Sequence, residues 1–381
     1  LYYGWGADGS FLFGSELKAL RACPAFDSAL CLPAVAQFLR HNYVPAPRSI
    51  YEQAYKLPPG CTLTVRREEL RDRTATPLPY WKVEEIWEDG AADPLPGDDA
   101  AVVQQAEALL RDAVELRLIS DVPLGAFLSG GIDSSLVVSL MQQVSTKPVR
   151  TFSIGFHEQD SNEAPMAQRV AEHRGTDHTA LFATPSDVMA VIPDLPNAWD
   201  EPFADPSQMP TVLLTRLTQQ HVTVALSGDG GDELFGGYLR YPKTLRLWNL
   251  AQRIPGCVRG ATAVGLRLLG PRMRALLALP LKHLVPNIGG PGDLGRMTSR
   301  MAELLQAGAF REFYGRCNSH TVPPGGLTPA GDECAPVFAT RATRPTGAWS
   351  EMAILDLLSY LPDDILTKVD RASMAMSLEV R

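Results

Sequence analysis

Apolar positions in this chain change their spacing several times, and each change predicts an element. Leu1 to Tyr3 and Phe11 to Phe13 are short apolar runs joined by Gly6-Ala7-Asp8-Gly9, which reads as two strands and a turn. Residues 16–21 read as a short helix. Pro33 to Arg40 reads as a second one, because Val35, Phe38 and Leu39 share a face. Pro45, Pro47, Pro58, Pro59 and Gly60 punctuate the next stretch, and Cys61 to Val65 alternates like a strand. From Val103, apolar residues recur at helical spacing to about Leu118. Strand and helix patterns then alternate: strand 122–128, helix 135–143, strand 149–156, helix 163–173, strand 178–182, helix 186–199, helix 209–220 and strand 222–227. Such alternation predicts an α/β fold with a doubly wound parallel sheet and sites at strand C-termini. Residues 239–381 read as mostly helical, with a Pro- and Gly-rich loop near Pro323 to Gly331.

Two glycine-rich segments fall at predicted strand ends. The first is Leu128-Ser129-Gly130-Gly131-Ile132-Asp133-Ser134-Ser135, between a strand and a helix start. A junction of this kind aims open backbone N–H groups and the positive end of a helix dipole at one spot, which suits a phosphate. Asp133 repels a phosphate unless a cation lies between them, and Mg²⁺ is the simplest such cation. A Walker-type loop requires a lysine that this segment lacks. A pyrophosphate clamp of another kind is therefore expected. The second segment is Ser227-Gly228-Asp229-Gly230-Gly231-Asp232-Glu233-Leu234-Phe235-Gly236-Gly237-Tyr238. Its three carboxylates repel one another, so bringing them together also calls for a cation or a proton.

With these residues in view, the chain resembles the glutamine-hydrolysing asparagine synthetase family, whose synthetase domain is of the N-type ATP pyrophosphatase kind. The Asp200 to Ser207 run and the ending Asp370 to Arg381 agree with it. Gly14 to Leu20, Tyr43 to Tyr51 and Lys56 to Gly60 resemble the second half of an α+β, Ntn-type glutaminase domain, which Tyr80-Trp81 closes. The resemblance implies a partial glutaminase domain at 1–84, a linker at 85–99 and a synthetase domain at 100–381. It implies ATP and Mg²⁺ as cofactors, with Leu128, Ser129, Gly130, Gly131, Asp133, Ser134, Ser135, Ser227, Gly228 and Tyr238 at the nucleotide. It implies Asp229, Asp232 and Glu233 as catalytic residues, and Asp133, Asp232 and Glu163 as metal-side carboxylates. The family carries Glu at the position of Asp229 in many members, so reach here is shorter by about one methylene. Asp200, Glu201, Asp205 and Ser207 are expected on the acceptor side. Lys368 is not given the family's adenylation role, because that lysine lies downstream of Arg381.

The implied reaction adenylates aspartate with release of pyrophosphate, and ammonia from glutamine then gives asparagine. A paralogous amide former acting on another carboxylate is the alternative: an exopolysaccharide-associated amidotransferase, a peptide cyclase or a β-lactam synthetase. A non-catalytic binding relative is the alternative from another class. Leu1 and Arg381 both read as cuts within a longer protein, and the glutaminase nucleophile of the family precedes Leu1.

Composition adds bounds. A formal net charge of −8 argues against a nucleic-acid surface. The six cysteines show no Cys-x-x-Cys spacing, which fits free thiols in a reducing cytoplasm and not a zinc site. Arg267, Arg272, Arg274 and Lys282 interrupt the most apolar stretch, Ala261 to Val285, so no membrane span is expected. The expected partners are small molecules: ATP, aspartate, and glutamine or ammonia. The oligomeric state stays open, with a homodimer as the candidate.

Overall fold

The computed structural model describes residues 1–156, 162–269, 273, 300–320 and 347–381. The Pro323 to Gly331 loop expected from sequence lies outside these residues.

The N-terminal part is a three-stranded antiparallel sheet. Strands β1 (Tyr2–Trp5), β2 (Phe11–Gly14) and β3 (Ala54–Lys56) lie in the order β2-β1-β3. Tyr2, Leu17, Leu20, Ala34, Val44 and Ile50 bury one face against the Leu17–Arg21 and Leu32–His41 helices. Asn42 ends the second helix in the left-handed conformation, at φ 70°, which asparagine tolerates better than most residues. The expected strand at Cys61 to Val65 shrinks to β4 (Cys61–Thr62), paired with β5 (Leu78–Pro79). The stretch read as linker is partly a helix, Val83–Ala92. Its Trp87 packs against Tyr241, Met352 and their neighbours, so an apolar contact orders a segment whose composition suggested a linker.

The central sheet is parallel, with β6 (Leu124–Phe127), β7 (Arg150–Phe156), β8 (Asp177–Ala183), β9 (Val224–Leu226) and β10 (Glu379–Val380) in the order β10-β9-β6-β7-β8. Side chains alternate across it. Ala126, Leu128 and Leu226 meet Val138, Met141, Ala167 and Ala171 on one face. Phe152, Ala225 and Leu378 pack with Phe127, Leu214 and Leu217 on the other. The sheet is thus doubly wound, as the alternation predicts. The chain runs from β6 toward β8 on one side and toward β10 on the other. The order therefore reverses between β6 and β9, where crevices form in such sheets.

The expected helix 186–199 is broken into Pro185–Val191, a 3₁₀ turn at Ile192–Asp194, and Leu195–Trp199. Pro193 and Pro196 each lack the N–H that a continuous helix needs. Past residue 239, the described part is helical, as expected, with a π turn at Leu361–Ile365 leading into the Leu366–Met374 helix.

The N-terminal part docks on the part built around the parallel sheet through polar contacts. Lys56 forms an ion pair with Glu201 at 2.5 Å, and both side chains are nearly buried. Glu201 also accepts from the Ile50 N–H and the Tyr2 hydroxyl. Asp200 accepts from the Lys18 N–H, Asp363 from the Ala46 N–H, and Arg371 pairs with Glu16 at 3.0 Å. Asp200 and Glu201 therefore tie the two parts together.

Candidate active site

Both glycine-rich loops leave the sheet at the β6–β9 reversal, and they touch backbone to backbone. A methyl group at Gly228 would stand 2.7 Å from the Ser134 nitrogen and 3.0 Å from the Asp133 carbonyl carbon. Only a glycine permits that approach. Gly130 adopts φ +82°, and a methyl there would meet the Ala167 nitrogen at 2.6 Å. The first loop is therefore wedged between the second loop and the start of the Ala164–Arg174 helix.

The first loop is organised by its serines. Ser129 and Ser134 share a hydroxyl–hydroxyl bond of 2.9 Å, the Ser129 N–H donates to Ser134 Oγ, and the Gly131 N–H donates to Ser129 Oγ. Gly131 precedes the Ile132–Val144 helix without a side-chain cap. The first-turn N–H groups stay open, as an anion site requires. Ser135 Oγ is buried without a partner among the described residues. Leu128 contributes differently: its side chain is buried in the core, and its N–H binds the Phe152 carbonyl.

Asp133 lies over the second loop, since a methyl at Gly231 would stand 2.5 Å from its carboxyl carbon. Asp232 folds back over Gly237, where a methyl would lie 2.0 Å from Oδ1. Loss of solvation, then Asp232, then Asp229, push the Asp133 carboxyl above its ordinary range. Asp229 is solvent-exposed. Desolvation raises its carboxyl, while a bond from Ser227 and the charge of Lys368 oppose the rise. No cation pairs with Asp133, Asp229 or Asp232 among the described residues.

This donor set suits Mg²⁺ with a nucleotide. No three His, Cys, Asp or Glu side chains converge as a metal cage among the described residues. Mg²⁺ characteristically takes one or two carboxylates and fills its remaining positions with phosphate oxygens and water. Asp133 and Asp232 would hold it. Glu163 is exposed, precedes the Ala164–Arg174 helix, and has no described contact with either.

Glu233 and Tyr238 form a brace. Glu233 is 1% exposed and accepts from the Tyr238 hydroxyl at 2.6 Å. Burial raises the Glu233 carboxyl, and the Arg240 guanidinium stacks on the Tyr238 ring at 3.9 Å. The pair secures the second loop from below. Lys368, buried, donates to Asp205 Oδ2 at 2.9 Å and Ser207 Oγ at 2.7 Å. Sequence reasoning missed Arg240, Asp356 and Asp364. Asp356 is buried and accepts from Arg240, Tyr241 and Tyr314. The signal available for Asp364 was its i,i+4 spacing to Lys368.

Residues 105–381 match the asparagine synthase family model. The chain belongs to the asparagine synthase family. Residues 1–81 match the glutamine amidotransferase domain. A Methanocaldococcus jannaschii protein provisionally named asparagine synthetase (glutamine-hydrolyzing) 2 is 35% identical over 380 residues, which cover 98% of this chain and 67% of that protein. A Mycobacterium tuberculosis protein provisionally named asparagine synthetase (glutamine-hydrolyzing) is 31% identical, over all of this chain and 55% of its own length. Asparagine synthetase (glutamine-hydrolyzing) 1 of Bacillus subtilis is 28% identical, over 97% of this chain and 54% of its length. This family member thus spans about half to two thirds of the relatives it matches. No helix among the described residues is long and apolar enough to cross a membrane.

Proposed function

We propose that this chain carries the adenylating centre of a ligase that forms asparagine from aspartate, ATP and glutamine-derived ammonia. The observation that carries the reading is the pair of glycine loops in backbone contact at the sheet reversal, with Asp133 and Asp232 lacking a counter-cation among the described residues. The open N–H groups at residues 132–134, with the Ser129 and Ser134 hydroxyls, receive the β and γ phosphates. They are fixed donors, so they stabilise charge on departing pyrophosphate without reorganising. Mg²⁺, when bound by Asp133 and Asp232, would neutralise further phosphate charge.

The aspartate side-chain carboxylate attacks the α-phosphorus, and the P–O bond to pyrophosphate breaks. Ammonia then attacks the acyl carbon, AMP leaves, and one proton must be removed from nitrogen. Asp229, whose carboxyl is raised, is the proposed acceptor for that proton. Residues 1–81 support glutamine as the ammonia source through their domain match. A non-catalytic relative has no need of Asp133 beside Asp232 with no cation paired to either among the described residues.

The test is pyrophosphate release by the full-length protein with ATP, Mg²⁺, ammonia and a panel of carboxylates. Release with aspartate, and asparagine as product, is expected. Release only with another carboxylate would replace the substrate, and release with none would remove the adenylation reading.

A further inference from the structure

Arg240 opens the Arg240–Gln252 helix and meets three groups at once. Its guanidinium donates to Asp356 Oδ2 at 2.7 Å. The guanidinium carbon lies 3.9 Å from the centre of the Tyr238 ring and 4.5 Å from that of Tyr360. The two rings stand edge to face, 6.1 Å apart. A planar guanidinium pairs through its edge while it stacks through its face, and the point charge of a lysine cannot do both.

Asp356 fixes the guanidinium in turn. It is 1% exposed and also accepts from the Tyr241 and Tyr314 hydroxyls, at 2.7 and 2.6 Å. The Arg240–Gln252, Phe310–Cys317 and Ala348–Leu358 helices thus converge on one buried carboxylate. A buried carboxylate held by a cation and two hydroxyls has little room to move.

The two rings lead to the two ends of the second glycine loop. Tyr238 directly follows Gly237, where a methyl would stand 2.0 Å from Asp232 Oδ1. The Gly236 and Gly237 N–H groups donate to the Asp232 carbonyl at 2.8 and 3.1 Å. The Asp232 carboxylate therefore rests on backbone that Tyr238 anchors. Tyr360 directly precedes the π turn Leu361–Ile365, a widened turn of a kind frequent at functional sites. The Leu361 side chain lies 3.8 Å from a methyl placed at Gly230, the neighbour of Asp229.

Resting on the assignment of the two loops to magnesium pyrophosphate, we propose that Arg240 is a positioning residue: held by Asp356, it sets Tyr238 and Tyr360, and through them the Asp232 carboxylate and the Gly230 turn beside Asp229. It touches no substrate and acts only through the rings it stacks on.

The experiment measures binding of magnesium pyrophosphate and of AMP to the full-length protein by titration calorimetry, with Tm alongside. Arg240→Lys keeps a cation for Asp356 and loses the stack. It should weaken magnesium pyrophosphate roughly 5- to 30-fold, the worth of a desolvated cation–π contact, and AMP by less than about 2-fold. Tyr360→Leu, which removes one of the two rings, should show a smaller loss with the same selectivity. The two substitutions combined should cost less than the product of their separate effects, because both act on one contact. Should Arg240→Lys not fold, Tyr360→Leu alone carries the test. Phe313→Leu is the control for stability: it loosens the packing on Trp248 in the same helical part. It should lower Tm and keep both affinities. No loss, equal losses for the two ligands, independent effects in the combined variant, or the same selective loss in Phe313→Leu would overturn the proposal. Failure of the unmodified protein to bind magnesium pyrophosphate would remove the clamp and this proposal with it. Binding that neither Arg240→Lys nor Tyr360→Leu weakens would keep the clamp and remove only the role of Arg240.

Discussion

Replacing Gly228 with alanine tests the architecture of the site with one methyl group. The added carbon would lie 2.7 Å from the Ser134 nitrogen and 3.0 Å from both the Asp133 carbonyl carbon and the Ser134 Cα. Ordinary contact begins at 3.4 Å, so the loops must part by about 0.7 Å along the shortest line. All three obstacles are backbone, and no flexible side chain can swing away. Overpacking of this kind costs about 1–3 kcal/mol. For a domain of this size that is a drop of roughly 2–12 °C in Tm. The displacement also moves the N–H groups proposed to hold pyrophosphate, so MgATP affinity should fall more than AMP affinity. The assay is thermal unfolding, with calorimetric titration of MgATP and AMP. Gly260→Ala is the control: it lies within the Gly256–Leu268 helix with nothing within 4 Å of the added carbon. It should stabilise by about 0.5–1 kcal/mol through helix propensity. Opposite signs at the two glycines are the expected result. An unchanged Tm and unchanged MgATP affinity in Gly228→Ala would refute the contact between the loops.

Asp133→Ala should weaken MgATP or magnesium pyrophosphate far more than AMP, and equal losses in titration would count against a phosphate-side metal role. Lys56→Met alone should destabilise by about 3–5 kcal/mol in denaturant unfolding, because it strands Glu201 as a buried charge. Lys56→Met combined with Glu201→Gln should recover much of that loss, and additive losses would argue against a shared ion pair. Asp364 has a folded-state carboxyl raised to about 7 from 3.8, so its protonated form favours folding. Its stabilising contribution is complete below pH 3.8 and fades as pH rises toward 7. Asp364→Asn should therefore flatten the fall in Tm across that window, and an unchanged slope would show that the carboxyl does not titrate there.

The order of elements and the location of the two glycine loops were legible from local pattern. Apolar runs such as Val222 to Leu226 and Thr151 to Phe156, separated by helical spacing, were enough to specify a parallel sheet with loops at strand ends. Gly130 and Gly131 beside Asp133 signalled an anion site because that chemistry is local to one turn. Folding was needed to make β6 and β9 neighbours, which turns two separate motifs into one site. Long-range packing likewise set the use of Asp200 and Glu201, because their partners Lys18, Lys56 and Ile50 lie about 150 residues or more away in the chain. Burial was equally illegible: nothing local distinguishes Glu233, enclosed under Tyr238, from Asp229, which is exposed to solvent. Asp364 was not singled out from the sequence. Only packing buries it against Asp205, because desolvation depends on what surrounds a group and not on its place in the chain.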